Sequence, residues 1–113
     1  MGDCIFCKII RKEAESELLY EDADMIVIRD IRPKAPVHLL VIPKKHFESL
    51  NAATADDALL LGKLMLRAAE QAKVLGIDQS GYKVVNNVGD NGGQIIQHFH
   101  LHLVGGEPIR VPV

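Results

Sequence analysis

Three of the five histidines in this 113-residue chain lie two residues apart in the segment HFHLHLV. His98, His100 and His102 alternate there with apolar residues. Because successive side chains of a β-strand point to opposite faces, the segment predicts a strand over residues 98–104 whose three imidazoles share one face. Histidine is the side chain best suited to proton transfer and nucleophilic displacement near neutral pH, and it is a common metal ligand. The segment therefore predicts a catalytic site or a metal site.

The spacing of the three imidazoles argues against one metal ion held by all of them. Neighbours at i and i+2 in a strand are about 7 Å apart at their Cα atoms, and the outer pair is about 13 Å apart. Two such rings can converge on one ion, but a third is hard to include. We therefore expect the three histidines to have different tasks, and a hydrolase with a three-histidine catalytic zinc stays open as the rival interpretation.

A glycine-rich loop, NVGDNGGQ at residues 87–94, leads into the histidines. Glycines allow backbone N–H groups to approach an anion, and the amides of Asn87 and Gln94 are neutral hydrogen-bond donors. A loop of this composition directly before a histidine segment predicts a phosphate-binding site.

Cys4 and Cys7 form a CxxC pair near the other end of the chain. This spacing is half of a tetrahedral zinc site, but structural thiols and redox pairs also have it. The βαβ surroundings typical of a thioredoxin-like redox pair are absent from the sequence pattern. The residues alone leave these alternatives open.

The composition predicts one soluble domain, residues 1–113, in the cytoplasm. Apolar residues make up 48% of the chain and charged residues 25%, which is an ordinary globular balance. The net charge of −2 offers no broad basic surface for nucleic acid. No apolar run approaches the roughly 20 residues of a membrane span, and the N-terminal residues lack the pattern of a secretory signal peptide. We therefore expect neither a nucleic-acid partner nor a membrane partner.

The pattern of apolar residues predicts an α+β fold with a mainly antiparallel sheet, since strands cluster before and after one long helix without βαβ alternation. The expected elements are a short N-terminal helix (residues 4–12), strands at 18–21, 25–29, 38–43, 81–87 and 98–104, and a long helix from Thr54 to Gly76. Thr54 is a suitable helix cap and Gly76 a suitable helix stop. Pro33 and Pro36 mark an ordered loop before the third strand.

Taken together, these motifs resemble the histidine-triad family of nucleotide hydrolases and transferases. The segments that carry the resemblance occur in the family's order and spacing: IFCKIIRKE, RDIRPKAPVHLLVIPKKH, NVGDNGGQ and HFHLHLVGG. The resemblance is closest to the small Hint-like branch, in its zinc-binding subtype with a CxxC pair. It implies a sheet of about five strands, a homodimer, and cleavage of nucleoside phosphoramidates or related nucleotidyl conjugates at the α-phosphate, with purine nucleotides such as AMP.

The resemblance also implies the roles of individual residues. His100 matches the nucleophile that forms a nucleotidyl-histidine, His102 matches the donor to the phosphate oxygens, and His38 matches the histidine that orients the nucleophile. Asp30 matches the carboxylate that binds the ribose hydroxyls. The other matches to the nucleotide site are the apolar walls around the base and the residues around the phosphate: Phe6, Ile9, Ile28, Ile31, Asn87, Gly93, Gln94 and Ile95.

For the cysteine pair, the resemblance implies a structural zinc ion. The ligands would be Cys4, Cys7, His46 and His98, and no organic cofactor is expected. Zinc would then tie the N-terminal segment to the end of the sheet.

Two features depart from the family pattern. Ile95 stands where Hint-like proteins commonly have Ser or Thr, whose hydroxyl assists the leaving group or holds the phosphate. We therefore expect weaker phosphoramidase turnover or a different leaving group. The last residues, EPIRVPV, contain no Trp, although Hint proteins with a Trp there use this region at the active site. Dinucleoside polyphosphate hydrolysis and nucleotide binding without catalysis stay open as alternatives.

Overall fold

The computed structural model describes residues 4–113. The expectation that the N-terminal residues do not form a signal peptide includes residues 1–3, which lie outside the described residues. The described chain forms, in order, α1 (Ile5–Ile10), β1 (Leu18–Glu21), β2 (Met25–Arg29), β3 (Val37–Pro43), two short 3-10 turns (Leu50–Ala52 and Ala55–Asp57), α2 (Ala58–Val74), β4 (Tyr82–Val85) and β5 (Leu101–Gly105). The predicted α+β class is confirmed.

The five strands form one antiparallel sheet in the order β1-β2-β3-β5-β4. β3 lies at the centre, between β2 and β5, and the chain reaches the far edge at β4 through α2 before it returns with β5. The predicted antiparallel sheet of about five strands, with one long and one short helix, is confirmed.

The sheet is apolar on both faces because a helix covers each face. In β2, Met25 and Val27 pack with residues of α2 in one core cluster, whereas Ile26 and Ile28 pack with Phe6 of α1 in the other. β2 is therefore buried over residues 25–28, which explains its continuous apolar sequence. The face that carries α1 also carries the histidines described below.

The caps predicted for the long helix have the expected positions. The backbone N–H of Thr54 donates to Asp57 Oδ2 at 2.9 Å, and Thr54 Oγ1 accepts from the N–H of Asp56 at 3.3 Å. This capping box tightens the first turn into a 3-10 helix, so α2 proper begins at Ala58. Gly76, with φ of 75°, ends it. Neither helix among residues 4–113 is long and apolar enough to cross a membrane.

The strand predicted over residues 98–104 is wrong at its beginning, because β5 starts only at Leu101. Val41 pairs with Leu101, and continuing this register would place Phe99 opposite Pro43. Proline has no N–H to donate, so the ladder stops. The N–H of Phe99 donates instead to the carbonyl oxygen of Phe47 at 2.8 Å. The three histidines therefore do not share one strand, and only His102 lies in β5.

β4 also ends earlier than predicted, at Val85 rather than Asn87. The side chain of Asn86 takes over from the ladder, since its Nδ2 donates to the carbonyl oxygen of His100 at 3.0 Å. This bond connects the end of β4 to the histidine segment.

Candidate functional site

A cleft of about 410 Å³ opens on the face of the sheet that carries α1. It gathers side chains from α1, the β2–β3 loop, β3, the glycine-rich loop, the histidine segment and the last residue. Its lining residues are Phe6, Asp30, Ile31, Arg32, Lys34, His38, Leu40, Asn87, Gly93, Ile95, Ile96, His100, His102 and Val113. All three predicted catalytic histidines belong to it.

His38 and His102 are diagonal neighbours on adjacent strands. Leu40 of β3 is opposite His102 of β5, so His38, two residues before Leu40, points to the same face. His38 Nε2 lies 2.9 Å from His102 Nδ1. The structure therefore places the His38 ring against His102, and the role of His38 in orienting the nucleophile stays a prediction.

The hydrogen bonds of these two rings determine where their protons lie. The backbone N–H of Lys34 donates to His38 Nδ1 at 3.1 Å, so neutral His38 carries its proton on Nε2. His38 Nε2 then donates to His102 Nδ1, which leaves the proton of His102 on its own Nε2. Since His102 lines the cleft, this ring offers an N–H donor there.

His100 has the opposite tautomer. Its Nδ1 lies 2.7 Å from the carbonyl oxygen of His98, which can only accept, so Nδ1 carries the proton and Nε2 keeps its lone pair. The ring is 6% exposed and lies 5.0 Å from the His102 ring, centroid to centroid. A ring nitrogen with a lone pair and an N–H donor therefore lie side by side in one cleft.

Burial keeps these imidazoles neutral. It is the main cause that lowers the pKa of His38, His100 and His102, and for His102, where the neighbouring His100 and His38 add to the effect, the pKa falls to about 4. Asp30 opposes the shift at His38 and His100. Neutral imidazole is the form that has a lone pair to attack with.

Asp30 lies where β2 leads into the loop before β3. Its Oδ1 accepts from the backbone N–H of Arg32 at 2.8 Å, and its Oδ2 lies 3.4 Å from His38 Nε2. The carboxylate lines the cleft beside the predicted catalytic residues.

The glycine-rich loop is held in shape by its own side chains. Asn87 Nδ2 donates to the carbonyl oxygens of Gly92, at 2.7 Å, and Val113, at 2.9 Å. A Cβ at Gly92 would collide with the backbone oxygen of Val88, and Gly93 has φ of 77°, so glycine is required at both positions. Asn87 and Gly93 both line the cleft.

Gln94 was expected to face the phosphate, but its side chain turns inward. Its Oε1 accepts from the N–H of Gly89 at 3.0 Å, and its Nε2 donates to the carbonyl oxygens of Glu48, at 2.6 Å, and Ile96, at 3.1 Å. It is 8% exposed. Gln94 therefore braces the loop from behind and does not line the cleft.

The predicted apolar walls divide into two groups. Phe6, Ile31 and Ile95 line the cleft, and both isoleucines are almost fully exposed at its mouth. Ile9 and Ile28 are buried beneath Phe6 in the core cluster on this face, so they support the wall without lining it.

The four predicted zinc ligands lie together behind the cleft, each with a ligand atom within 4.8 Å of the others. Cys4 Sγ is 3.4 Å from His98 Nδ1, Cys7 Sγ is 3.3 Å from His46 Nδ1 and 3.6 Å from His98 Nδ1, and the two Nδ1 atoms are 3.0 Å apart. A tetrahedral zinc ion with two sulfur and two nitrogen ligands requires about 3.6 Å between sulfur and nitrogen and about 3.3 Å between nitrogens.

The chemistry of the donors also fits a cation. His98 Nε2 donates to the carbonyl oxygen of Pro43 at 2.8 Å, so the lone pair of Nδ1 points into the cluster. Burial, and then the neighbouring Cys4, raise the pKa of the Cys7 thiol, so a cation between the sulfurs would be needed to favour two thiolates. Distances and protonation both suit zinc.

Asp30, His38 and His102 meet the same distance condition for a metal site. The proton on His38 Nε2 argues against a metal ion in this cluster, because it lies between His102 Nδ1 and Asp30 Oδ2. This second cluster is a hydrogen-bond relay.

The chain is similar to known proteins over nearly its whole length. A family described as "Scavenger mRNA decapping enzyme C-term binding" matches residues 3–108. Protein HitA of Neisseria gonorrhoeae is 48% identical over 105 residues, which cover 93% of this chain and 97% of HitA. The crystal structure of a HIT family hydrolase from Legionella pneumophila Philadelphia 1 has a TM-score of 0.94 and 44% identity, covering 97% of this chain and 98% of that one. This chain belongs to the histidine-triad (HIT) family.

A third HIT relative contains a metal ion. The crystal structure of a Zn-bound histidine triad family protein from Mycobacterium smegmatis has a TM-score of 0.81 and 31% identity, covering 97% of this chain and 81% of that one. A HIT protein of the same fold therefore holds zinc.

Several residues of this HIT site were not found by sequence reasoning. Arg32, Lys34, Leu40, Ile96 and Val113 also line the cleft. Arg32 and Lys34 are adjacent to the expected Asp30 in a loop, but only the folded path of the loop brings their side chains to the cleft. The side-chain amide of Asn86 donates to the His100 carbonyl oxygen. Nothing in the sequence indicated this contact except that Asn86 precedes Asn87.

Proposed function

We propose that this HIT protein is a hydrolase that acts at the α-phosphate of nucleoside phosphoramidates or related nucleotidyl conjugates. The observation that carries the proposal is the pair of opposite tautomers in the cleft: a lone pair on His100 Nε2 beside an N–H donor on His102 Nε2. A phosphoryl centre needs both a nucleophile and donors to its equatorial oxygens.

In the first step, the lone pair of His100 Nε2 attacks the α-phosphorus and the bond to the leaving group breaks. The leaving group takes the bonding electrons and a proton from solvent, and the nucleotide is attached to His100. The imidazolium formed on His100 keeps its Nδ1 proton, which the carbonyl oxygen of His98 stabilises.

In the second step, water attacks the same phosphorus and the bond to His100 Nε2 breaks. The ring regains its lone pair, water loses a proton to solvent, and the nucleoside monophosphate leaves. His102 Nε2–H holds the phosphate oxygens in both steps, because this donor is already in place, and the glycine-rich loop forms the wall beside them. The relay from Lys34 through His38 keeps His102 in the donating tautomer.

The rest of the cleft suits a purine nucleoside, with AMP as the proposed nucleotide. Asp30 accepts from the ribose hydroxyls, and Phe6 and Ile31 contact the base. Ile9 and Ile28 support this wall from the core. Ile95 provides only an apolar side chain beside the phosphate, so it gives the leaving group no hydroxyl.

Cys4, Cys7, His46 and His98 would hold one structural zinc ion. Zinc would join the start of α1 to the residues just after β3, at His46, and just before β5, at His98. This connection would add to the stability of a small domain. The proposed chemistry takes place on His100 and requires no organic cofactor.

The proposal predicts a covalent adduct. The protein is incubated briefly with an AMP phosphoramidate and its intact mass is measured for the wild type, His100→Ala and His102→Ala. We expect a nucleotidyl adduct in the wild type, none in His100→Ala, and a slower one in His102→Ala. An adduct of equal amount in His100→Ala would exclude His100 as the nucleophile, and AMP release without any adduct would exclude the covalent mechanism.

Two cations favour a second candidate, hydrolysis of dinucleoside polyphosphates. Arg32 and Lys34 line the cleft, and Arg32 makes no ion pair or side-chain hydrogen bond among residues 4–113. The additional phosphates of a dinucleoside polyphosphate would form ion pairs with these two side chains. We expect Arg32→Ala to lower kcat/KM for diadenosine triphosphate more than for AMP phosphoramidate. Lys12→Ala, an exposed lysine outside the cleft, β4 and α2, is the control. Equal losses on both substrates would argue against this candidate.

We further propose that the protein is a cytoplasmic homodimer of one domain each, residues 1–113. β4 is an edge strand, and Leu59 and Leu66, seven residues apart on α2, are 72% and 68% exposed. A second copy would cover both. Analytical ultracentrifugation should show a dimer that Leu59→Glu with Leu66→Glu dissociates; a monomeric wild type would contradict this.

A further inference from the structure

The metal cluster and the candidate nucleophile share a residue. His98 takes part in the cluster through its Nδ1, which is 3.4 Å from Cys4 Sγ and 3.0 Å from His46 Nδ1. The backbone carbonyl of the same His98 accepts the Nδ1–H of His100 at 2.7 Å. Whatever fixes His98 therefore also fixes the bond that orients the nucleophilic ring.

Phe6 provides a second connection. It lies between Cys4 and Cys7 in sequence, so ligation of both thiols would fix the turn of α1 that carries it. Its ring meets His98 edge-on, with 5.8 Å between centroids and an angle of 84°, and meets His100 at 5.1 Å and 74°. Phe6 is 3% exposed, so it has little freedom to move away from either imidazole.

The backbone around His100 has few other supports. Residues 98–100 lie outside β5, and no strand ladder holds them. Their backbone is held by two hydrogen bonds, from the Phe99 N–H to the carbonyl oxygen of Phe47 and from the Asn86 side-chain amide to the carbonyl oxygen of His100. The position of the His98 carbonyl therefore depends strongly on the His98 side chain, whose Nε2 is held by Pro43 and whose Nδ1 faces the cluster.

We propose that the metal centre of Cys4, Cys7, His46 and His98 positions the nucleophile, in addition to stabilising the fold, with His98 and Phe6 as the positioning residues. This inference rests on the proposed function for the role of His100. The consequence is that metal binding changes the rate of attack more than the binding of substrate, because a displacement of about 1 Å in a reacting group can cost about 100-fold in rate.

The first test observes the positioning itself and needs no substrate. The Nδ1–H proton of His100 is buried and bonded at 2.7 Å, so it should exchange slowly and give a downfield proton NMR resonance, assigned by its loss in His100→Ala. We expect this resonance in the zinc-loaded protein, and its shift or loss after chelation. The same resonance at the same frequency with and without zinc would overturn the proposal.

The second test measures the chemical step. In single turnovers with AMP phosphoramidate, we expect chelation to slow formation of the nucleotidyl adduct by about tenfold or more while KM changes by less than about twofold. Circular dichroism checks that the chelated protein keeps its fold. An unchanged rate in folded, metal-free protein would contradict the proposal.

A pair of core variants keeps the test decisive if chelation unfolds the protein. Phe6→Leu removes the ring that contacts His98 and His100. Ile77→Ala removes a buried side chain in the core cluster on the other face of the sheet, beside Gly105 at the far end of β5. In zinc-loaded protein, we expect Phe6→Leu to shift the His100 resonance and slow adduct formation, and Ile77→Ala to do neither. Equal effects of both would show a general loss of packing and overturn the proposal.

Failure of the proposed function has a different signature. If the wild type forms no nucleotidyl adduct, His100 is not the nucleophile of this reaction, yet the NMR comparison still decides whether the metal centre positions the ring. If the adduct forms and neither the resonance nor the rate depends on zinc or on Phe6, only the positioning inference is wrong.

Discussion

Among residues 4–113, two clusters have ligand atoms within 4.8 Å of one another: Cys4, Cys7, His46 and His98, and Asp30, His38 and His102. In the first, a backbone carbonyl accepts from His98 Nε2, so the Nδ1 lone pair points inward. In the second, a backbone N–H donates to His38 Nδ1, so a proton lies between the side chains. The backbone partner of one imidazole nitrogen thus decides whether a cluster can hold a metal ion or a proton.

The largest expected effect comes from dismantling the first cluster. Zinc analysis of protein prepared without chelators should find about one zinc per chain, and Cys4→Ser with Cys7→Ser should remove it. We expect the free energy of unfolding to fall by more than about 5 kcal/mol, since apparent binding free energies of structural zinc reach about 10 kcal/mol or more. Chemical denaturation measures the change. His38→Gln, in the second cluster, is the control that should keep zinc; a zinc-free wild type would refute the metal assignment.

The next largest effect concerns the donor of the second cluster. His102→Ala should lower kcat for AMP phosphoramidate by about 100-fold or more, the range measured when one preorganised donor to a transition state is removed. Zinc content should be unchanged. Loss of zinc from His102→Ala would contradict the assignment of His102 to the second cluster alone.

His38→Gln should have a smaller effect, about tenfold in kcat. His38 acts through His102, and the net value of one hydrogen bond is about 1 kcal/mol, close to the 1.4 kcal/mol that corresponds to a tenfold rate change. Steady-state kinetics at several pH values measures it. A loss as large as that of His102→Ala would indicate that His38 contacts the substrate directly.

Acid should weaken the fold through the second cluster. The folded state holds the pKa of His102 at about 4, below its ordinary value of 6.5, mainly because burial disfavours the charged ring. Unfolded chains therefore bind more protons between these values, and the contribution of His102 to stability is complete above about pH 6.5 and decreases as the pH falls to about 4. Denaturation across this window should show a weaker pH dependence for His102→Gln than for the wild type; identical curves would contradict the assignment.

The smallest expected effect is at the mouth of the cleft. Ile95 is 89% exposed, so Ile95→Ser should fold normally and supply the hydroxyl that this position lacks. We expect turnover of an aminoacyl phosphoramidate to rise by about threefold to tenfold, the worth of about one hydrogen bond. Unchanged turnover would count against a role for this position in departure of the leaving group.

Sequence reasoning succeeded where local patterns decide the structure. The apolar runs of β2 and β3 and the Thr54 cap predicted elements that the structure contains. The expectation that the three histidines have different tasks agrees with the separation of His98 and His102 into different clusters, although the strand on which the spacing rested begins only at Leu101.

Features that depend on the register of the sheet or on loop paths could not be predicted. That β5 begins after His100 follows from Pro43 lying opposite Phe99, which is known only once the strands are paired. The inward turn of Gln94 depends on the carbonyl of Glu48, 46 residues away in sequence. For the same reason, nothing local indicated that Arg32 would line the cleft.

The most direct test of the account is a long-range proton–nitrogen NMR correlation spectrum of the zinc-loaded protein at neutral pH, which reports the tautomer and metal ligation of every histidine. The account predicts metal ligation at Nδ1 of His46 and His98, the proton on Nε2 of His38 and His102, and the proton on Nδ1 of His100. A proton on Nδ1 of His102, or metal ligation of His38 or His102, would contradict it.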